Sequence, residues 1–162
     1  MGITVSENKK EFPKHPEGVF QAVCCDVVEL GLEKAVFDGV EKMQRKIRLY
    51  FQTEEYEPDG QRRFIVAKKF TASLSEKSFL RQFLQAWRGK AFTPEELKDF
   101  DLEKLIGANC QIQIVHQLGR DGTMYANLGA VLPIKNVPAM QVKDYVRKKD
   151  RDVKQTEDSV PF

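Results

Sequence analysis

The side chains best suited to nucleophilic or metal chemistry in this chain are three cysteines, Cys24, Cys25 and Cys110, and two histidines, His15 and His116. A thiol acts as a nucleophile when a base lies within hydrogen-bond reach. Cys110 and His116 share one face of an alternating segment but are six residues apart. That is roughly 20 Å along an extended strand, too far to pass a proton. No Cys-x-x-Cys or His-x-x-x-His spacing occurs that would hold zinc. The acidic pairs Glu54-Glu55 and Glu95-Glu96 read as a loop and as helix-start electrostatics. There is no phosphate loop ending in Lys-Ser/Thr and no nucleophile elbow. The chain therefore reads as a non-enzyme, with no catalytic residue, cofactor or metal expected. Three cysteines in apolar runs, two of them adjacent, predict small buried thiols of a reducing compartment rather than disulfides.

Binding chemistry is better represented. In EKMQRKIRLYFQ, Met43, Arg45, Ile47, Leu49 and Phe51 fall on one strand face. Lys42, Gln44, Lys46, Arg48, Tyr50 and Gln52 fall on the other. A following strand adds Arg62, Arg63, Lys68 and Lys69, and the intervening loop adds Tyr56. Arg120 and Tyr125 belong to a later hairpin. Single-stranded nucleic acid is held by cations that follow phosphates and by rings that stack on bases. Lys42, Lys46, Arg48, Tyr50, Tyr56, Arg63, Lys68, Lys69, Arg120 and Tyr125 are thus the candidate nucleic-acid-binding residues. A merely solvated strand exterior is basic in the same way. Phe79, Phe83 and Trp87 recur at helical spacing and read as core, which leaves Arg88 and Lys90 as exposed contacts nearby. His116 reads as a satisfied, half-buried histidine.

The elements that must position these residues follow from periodicity and punctuation. Residues 1–17 are a polar, extended lead-in. A strand from Val19 to Leu30 stops at Gly31, and the alternating second strand ends before a Pro58-Asp59-Gly60 turn. RRFIVAKKFTASL makes a third strand. A helix capped at Ser73 or Ser75 then runs to Gly89, and a short helix begins with the Thr93–Glu96 capping box. ANCQIQIVHQL and MYANLGAVLP form a hairpin around Asp121-Gly122, the latter strand with Met124, Ala126, Leu128, Ala130 and Leu132 on one face. Three strands, a helical insertion and two more strands predict a mainly β fold, an OB-fold-like five-stranded Greek-key barrel spanning residues 18–133. In such barrels the second and third strands and the flanking loops form the usual oligonucleotide surface. Residues 134–162 form a C-terminal segment, in which 138–149 suggest an amphipathic helix and the final dozen a polar, flexible tail.

Composition suits a soluble globular domain: 162 residues, 41% hydrophobic and 31% charged. The +2 net charge is uneven, with residues 150–162 at −2 and the remainder at +4. A mildly basic body permits a nucleic-acid partner. No apolar run approaches the roughly 18 residues of a membrane span, and the N-terminus lacks a secretory h-region. Gly2 and Ser6 match only a loose myristoylation pattern. A cytoplasmic protein with no membrane partner is expected.

The terminal EDSVPF resembles the C-terminal tip of bacterial and phage single-stranded-DNA-binding proteins, where acidic residues precede a hydrophobic-Pro-Phe end. In that family the tip recruits replication and repair enzymes through a hydrophobic pocket with basic neighbours. The resemblance implies partner-binding roles for Glu157, Asp158, Val160, Pro161 and Phe162. A second stretch, SLSEKSFLRQFLQAWRGKAFTPEELKDFDLEKLIGANC, is similar to a family of small phage and prophage proteins. With Leu30-Gly31 and Tyr125-Ala126-Asn127 that likeness covers most of residues 17–133 and implies a place in phage DNA replication or recombination. The tail departs from the bacterial pattern: its linker is short and carries Arg147, Lys148, Lys149, Arg151 and Lys154. The expected function is a single-stranded-DNA-binding protein, possible as a homo-oligomer, that recruits enzymes through its tip. The alternative is an OB-like interaction adaptor with incidental DNA contacts.

Overall fold

The computed structural model describes residues 14–151. In chain order it contains β1 (Gly18–Phe37), β2 (Val40–Tyr56), β3 (Arg63–Thr71), α1 (Phe79–Arg88), α2 (Pro94–Lys98), a 3-10 turn (Leu102–Leu105), β4 (Asn109–Leu118) and β5 (Met124–Leu132). All neighbouring strands pair antiparallel, in the order β3-β2-β1-β4-β5. This mainly β, OB-like arrangement matches the expected fold class, with its helices between β3 and β4. The sheet is open, because no ladder joins the edge strands β3 and β5 where they meet. Lys68 Nζ spans that seam and donates to the Leu128 carbonyl at 3.3 Å. A cation at this place discourages pairing of either edge with another chain.

The interior is filled from alternate positions. Ile47, Leu49 and Phe51 of β2 meet Val66 and Phe70 of β3, and Cys110, Ile112 and Ile114 of β4 meet Leu128 and Val131 of β5. Helix α1 closes one end of the sheet with Leu80, Phe83, Leu84 and Trp87. Burying each such side chain is worth about 1.5–3 kcal/mol. Trp87 Nε1 also donates to the Asn109 carbonyl at 2.9 Å, which ties the helix to β4. The three cysteines are free and buried, as their apolar runs predict. Burial pushes the Cys110 thiol up to about 12.

Four features depart from the sequence expectation. First, β1 does not stop at Gly31. Gly31 has φ 82° beside a register shift, so it bends the strand as a bulge instead of ending it. The β1–β2 ribbon then continues to a tight turn at Asp38-Gly39, with φ of 49° and 78°. Second, α1 is capped by Ser78, whose hydroxyl accepts the Arg81 N–H at 3.1 Å. Ser73 instead accepts the Ser75 N–H in the preceding turn. The later start makes Phe79 the first helical residue, and it is 79% exposed rather than core. Third, a bulge in β5 opposite Gln113 and Ile114 reverses its alternation, so Val131 is buried while Ala130 and Leu132 are exposed.

Fourth, residues 138–147 form an extended strap across the outer face of the sheet, and only 148–151 make a helical turn. Side chains rooted in the sheet bind its backbone in place of internal helix bonds. Asn109 accepts the Met140 N–H at 2.7 Å and donates to the Met140 carbonyl at 3.1 Å. Gln52 accepts the Lys143 N–H at 2.8 Å and donates to the Lys143 carbonyl at 2.6 Å. The lead-in is likewise not wholly peripheral, because His15 is buried. Its ring is within 2.7 Å of Thr53 Oγ1, and its carbonyl accepts from His116 Nε2 at 2.6 Å. His116 is thereby the satisfied, half-buried histidine expected of it.

Candidate nucleic-acid interface

The candidate residues divide among four places. Lys42, Lys46, Arg48, Tyr50 and Gln52 do share the outer face of β2, as alternation predicts. The strap splits that face in two. At its centre Asp26 of β1 lies opposite Tyr50, 1% exposed. Its carboxylate accepts the Lys148 N–H at 2.9 Å, the Tyr145 hydroxyl at 2.7 Å and Arg147 Nε at 3.0 Å. Burial alone would raise the Asp26 pKa, but these donors together hold it below the ordinary carboxylate value. Arg147 also pairs with Glu103 of the 3-10 turn. Tyr50 is covered too, at 8% exposure, with Lys148 Nζ 2.8 Å from its hydroxyl and 4.6 Å from its ring centroid. Burial pulls the Tyr50 pKa up, and the Lys148 and Arg48 cations beside it bring the net shift downward.

A second group surrounds the far end of the strap. Arg63 donates to the Gln141 carbonyl at 2.9 Å and lies over the Tyr56 ring at 5.8 Å. Lys143 approaches the same ring at 5.5 Å. The Arg63 hydrogen bond and the Lys143 charge hold the Tyr56 hydroxyl below its usual pKa. Arg120 and Tyr125 are separate from both groups, at the β4–β5 turn. There the Tyr125 hydroxyl donates to Asp121 at 2.6 Å, which raises its pKa. Its ring covers Gly119, where a Cβ would approach it to 2.5 Å, so a larger residue there would have to displace the ring.

The fourth group is open. Beyond the strap, β2 and β3 meet α1 and β5 around a groove of ≈ 950 Å³. Lys46, Lys68, Lys69 and Lys77 contribute to its lining, with no carboxylate among the lining residues. Lys46 Nζ is held by Thr71 Oγ1 at 2.6 Å and Gln44 Oε1 at 3.0 Å, neutral partners that leave its charge uncancelled. Lys69 pairs with Glu33 of the ribbon. Lys68 and Lys69 alternate along the edge strand β3, yet both reach the groove lining. Phe37 of the ribbon turn and Phe79 of α1 line the same groove.

Arg88 is not the open contact expected of it: it pairs with Glu96 at 2.8 Å and lies 4.6 Å from the Phe92 ring centroid. Sequence reasoning also missed Asp26, Phe37, Lys77 and Phe79. For Asp26 the signal was available, a lone carboxylate within an apolar strand; its partners, more than 115 residues away, were not. For Phe79 the signal was Ser78, a cap residue directly before it. Glu157, Asp158, Val160, Pro161 and Phe162 lie outside the described residues.

Among the described residues no group of three or more His, Cys, Asp or Glu is placed to hold a metal. No helix among them is long and apolar enough to cross a membrane. No protein-family model and no curated protein sequence matches the chain.

Proposed function

We propose that this chain is a single-stranded-DNA-binding protein of phage-type replication or recombination, coating strands with little sequence preference and recruiting enzymes through Glu157–Phe162. The observation that carries the reading is the lysine-lined groove, free of lining carboxylates, on the β2–β3 side of an OB-like sheet. Cations so placed suit a chain of phosphates, and an open groove suits an unpaired strand more than a rigid duplex. The tail reading rests on the resemblance of EDSVPF to the family's tip.

Titration of labelled oligo-dT into the full chain at 50 and 200 mM salt tests the reading. Affinity should fall steeply as salt rises, because bound lysines release cations from phosphates. Absence of binding at the lower salt rejects it. Deleting residues 157–162 should leave oligo-dT affinity equal or slightly higher while abolishing co-purification of a recruited enzyme.

An interaction adaptor is the second reading, and one observation favours it. Leu32, Val36 and Met43 are all more than half exposed on the ribbon face opposite the groove. Under that reading duplex and single strands bind equally weakly while a partner protein co-purifies.

A further inference from the structure

The tyrosines expected to stack on bases are already engaged. Tyr50 is covered by the strap, Tyr56 lies between Arg63 and Lys143, and Tyr125 is tied to Asp121. Four phenylalanines line the groove; Phe70 and Phe83 are buried, whereas Phe37 is 48% exposed and Phe79 79%. Neither of these two exposed rings has a polar atom to satisfy in water. Phe37 is anchored by the Asp38-Gly39 turn and Phe79 by the Ser78 cap. Phe37 shares its ribbon face with Lys42 and Lys46, while Phe79 is two residues after Lys77.

We infer that Phe37 and Phe79 are the base-stacking residues of this groove, and that a single strand lies between ribbon and helix with its phosphates on Lys46 and Lys77. The inference rests on the function proposed above and assigns its contacts. Charge selects the occupant: the lining is cationic and lacks carboxylates, so an anionic ligand fits, and the two exposed rings require flat apolar faces as well. Unpaired nucleotides offer both in repetition. Duplex does not, because its bases are stacked on one another. Lys68 has a different task, since its amine is used at the β3–β5 seam.

The test is oligo-dT affinity of the full chain and of Phe37→Ala, Phe79→Ala, Phe79→Trp, Lys46→Gln and Ala130→Glu, each first checked for an unchanged melting temperature. Because Phe37 and Phe79 are exposed, their replacement should not unfold the protein. Loss of one stacked base weakens binding about 5- to 150-fold. Each Phe→Ala variant should fall in that range with its salt dependence unchanged, because phosphate contacts remain. Lys46→Gln should reduce the slope of log affinity against log salt by about one. Ala130→Glu, a carboxylate placed in the groove, should weaken binding as well. Phe79→Trp should retain affinity, and its indole emission should be quenched by saturating oligo-dT, while buried Trp87 contributes a constant background.

Wild-type affinity in both Phe→Ala variants, or an unquenched Trp at position 79 despite binding, overturns the assignment while leaving the proposed function intact. No oligo-dT binding by the unaltered chain overturns that function and the assignment with it. Groove variants that lose an acidic Val-Pro-Phe peptide, in a protein that ignores oligo-dT, assign the groove to a protein partner and also overturn it.

Discussion

The outer face of β1 and β2 beneath the strap and the groove beside it are built from similar residues. Both combine cations with rings: Arg48, Lys148 and Tyr50 on the covered face, Lys46, Lys69 and Phe37 in the groove. Their polar accounting differs. On the covered face the Asp26 carboxylate, the Gln52 amide and the Tyr50 hydroxyl are each bonded to strap atoms. In the groove Lys46 has only neutral partners, and Phe37 and Phe79 are left in water. A buried polar group costs free energy unless paired, whereas an exposed cation costs little. The first face is therefore committed to stability, and the second is available for a ligand.

Substitutions should separate the two faces, with strap contacts altering stability and groove contacts altering affinity. The largest effect is expected at Asp26. Asp26→Ala leaves Arg147 without its buried partner and removes the acceptor of the Tyr145 hydroxyl and the Lys148 N–H. Breaking such a pair costs about 3–5 kcal/mol, measurable by urea unfolding. The pH dependence has a defined sign. The folded-state pKa of Asp26 is lowered, so its contribution is present above the unfolded value of about 4. It is lost as pH falls through the folded value. Asp26→Asn should flatten that acid limb, and an unchanged limb would show that another carboxylate sets it.

Gln52→Ala should have a smaller effect, about 1–3 kcal/mol, since the Lys143 backbone loses both partners but can reach water. Hydrogen exchange at the Lys143 amide should accelerate, with little change at core amides. Tyr50→Phe keeps the ring beneath Lys148 and removes only the hydroxyl contact, for about 0.5–1.5 kcal/mol. Oligo-dT affinity should be unchanged in Tyr50→Phe. A marked loss there would erase the distinction between the faces and return the ligand to the strapped surface.

How far the fold and site were legible varied with the range of the interactions involved. The Thr93–Glu96 capping box, the Gly89 helix stop and the Asp121-Gly122 turn all form where expected, because each depends on residues within a few positions. Strand alternation correctly placed Ile47, Leu49 and Phe51 inside, but it failed in β5, where one extra residue at a bulge reversed the phase. Sequence periodicity has no marker for such an insertion. Gly31 was misread for a related reason, since a glycine that ends a strand and one that bends it look alike in the chain. The same limit applied to α1: the sequence offered Ser73 or Ser75 as its cap, and the actual cap, Ser78, moved Phe79 from expected core to solvent.

The sequence by itself determined the order of strands and helices, the burial of the cysteines, and which side chains of β2 share a face. These follow from local backbone geometry and from hydrophobic alternation. Only the tertiary structure decided which part of the shared face is covered. Tyr50 and Lys148 are 98 residues apart, and Asp26 and Arg147 are 121 apart. Nothing in local spacing encodes such pairs. Their partnership arises because a strap laid across the sheet satisfies buried polar groups that alternation had presented as a free cationic surface.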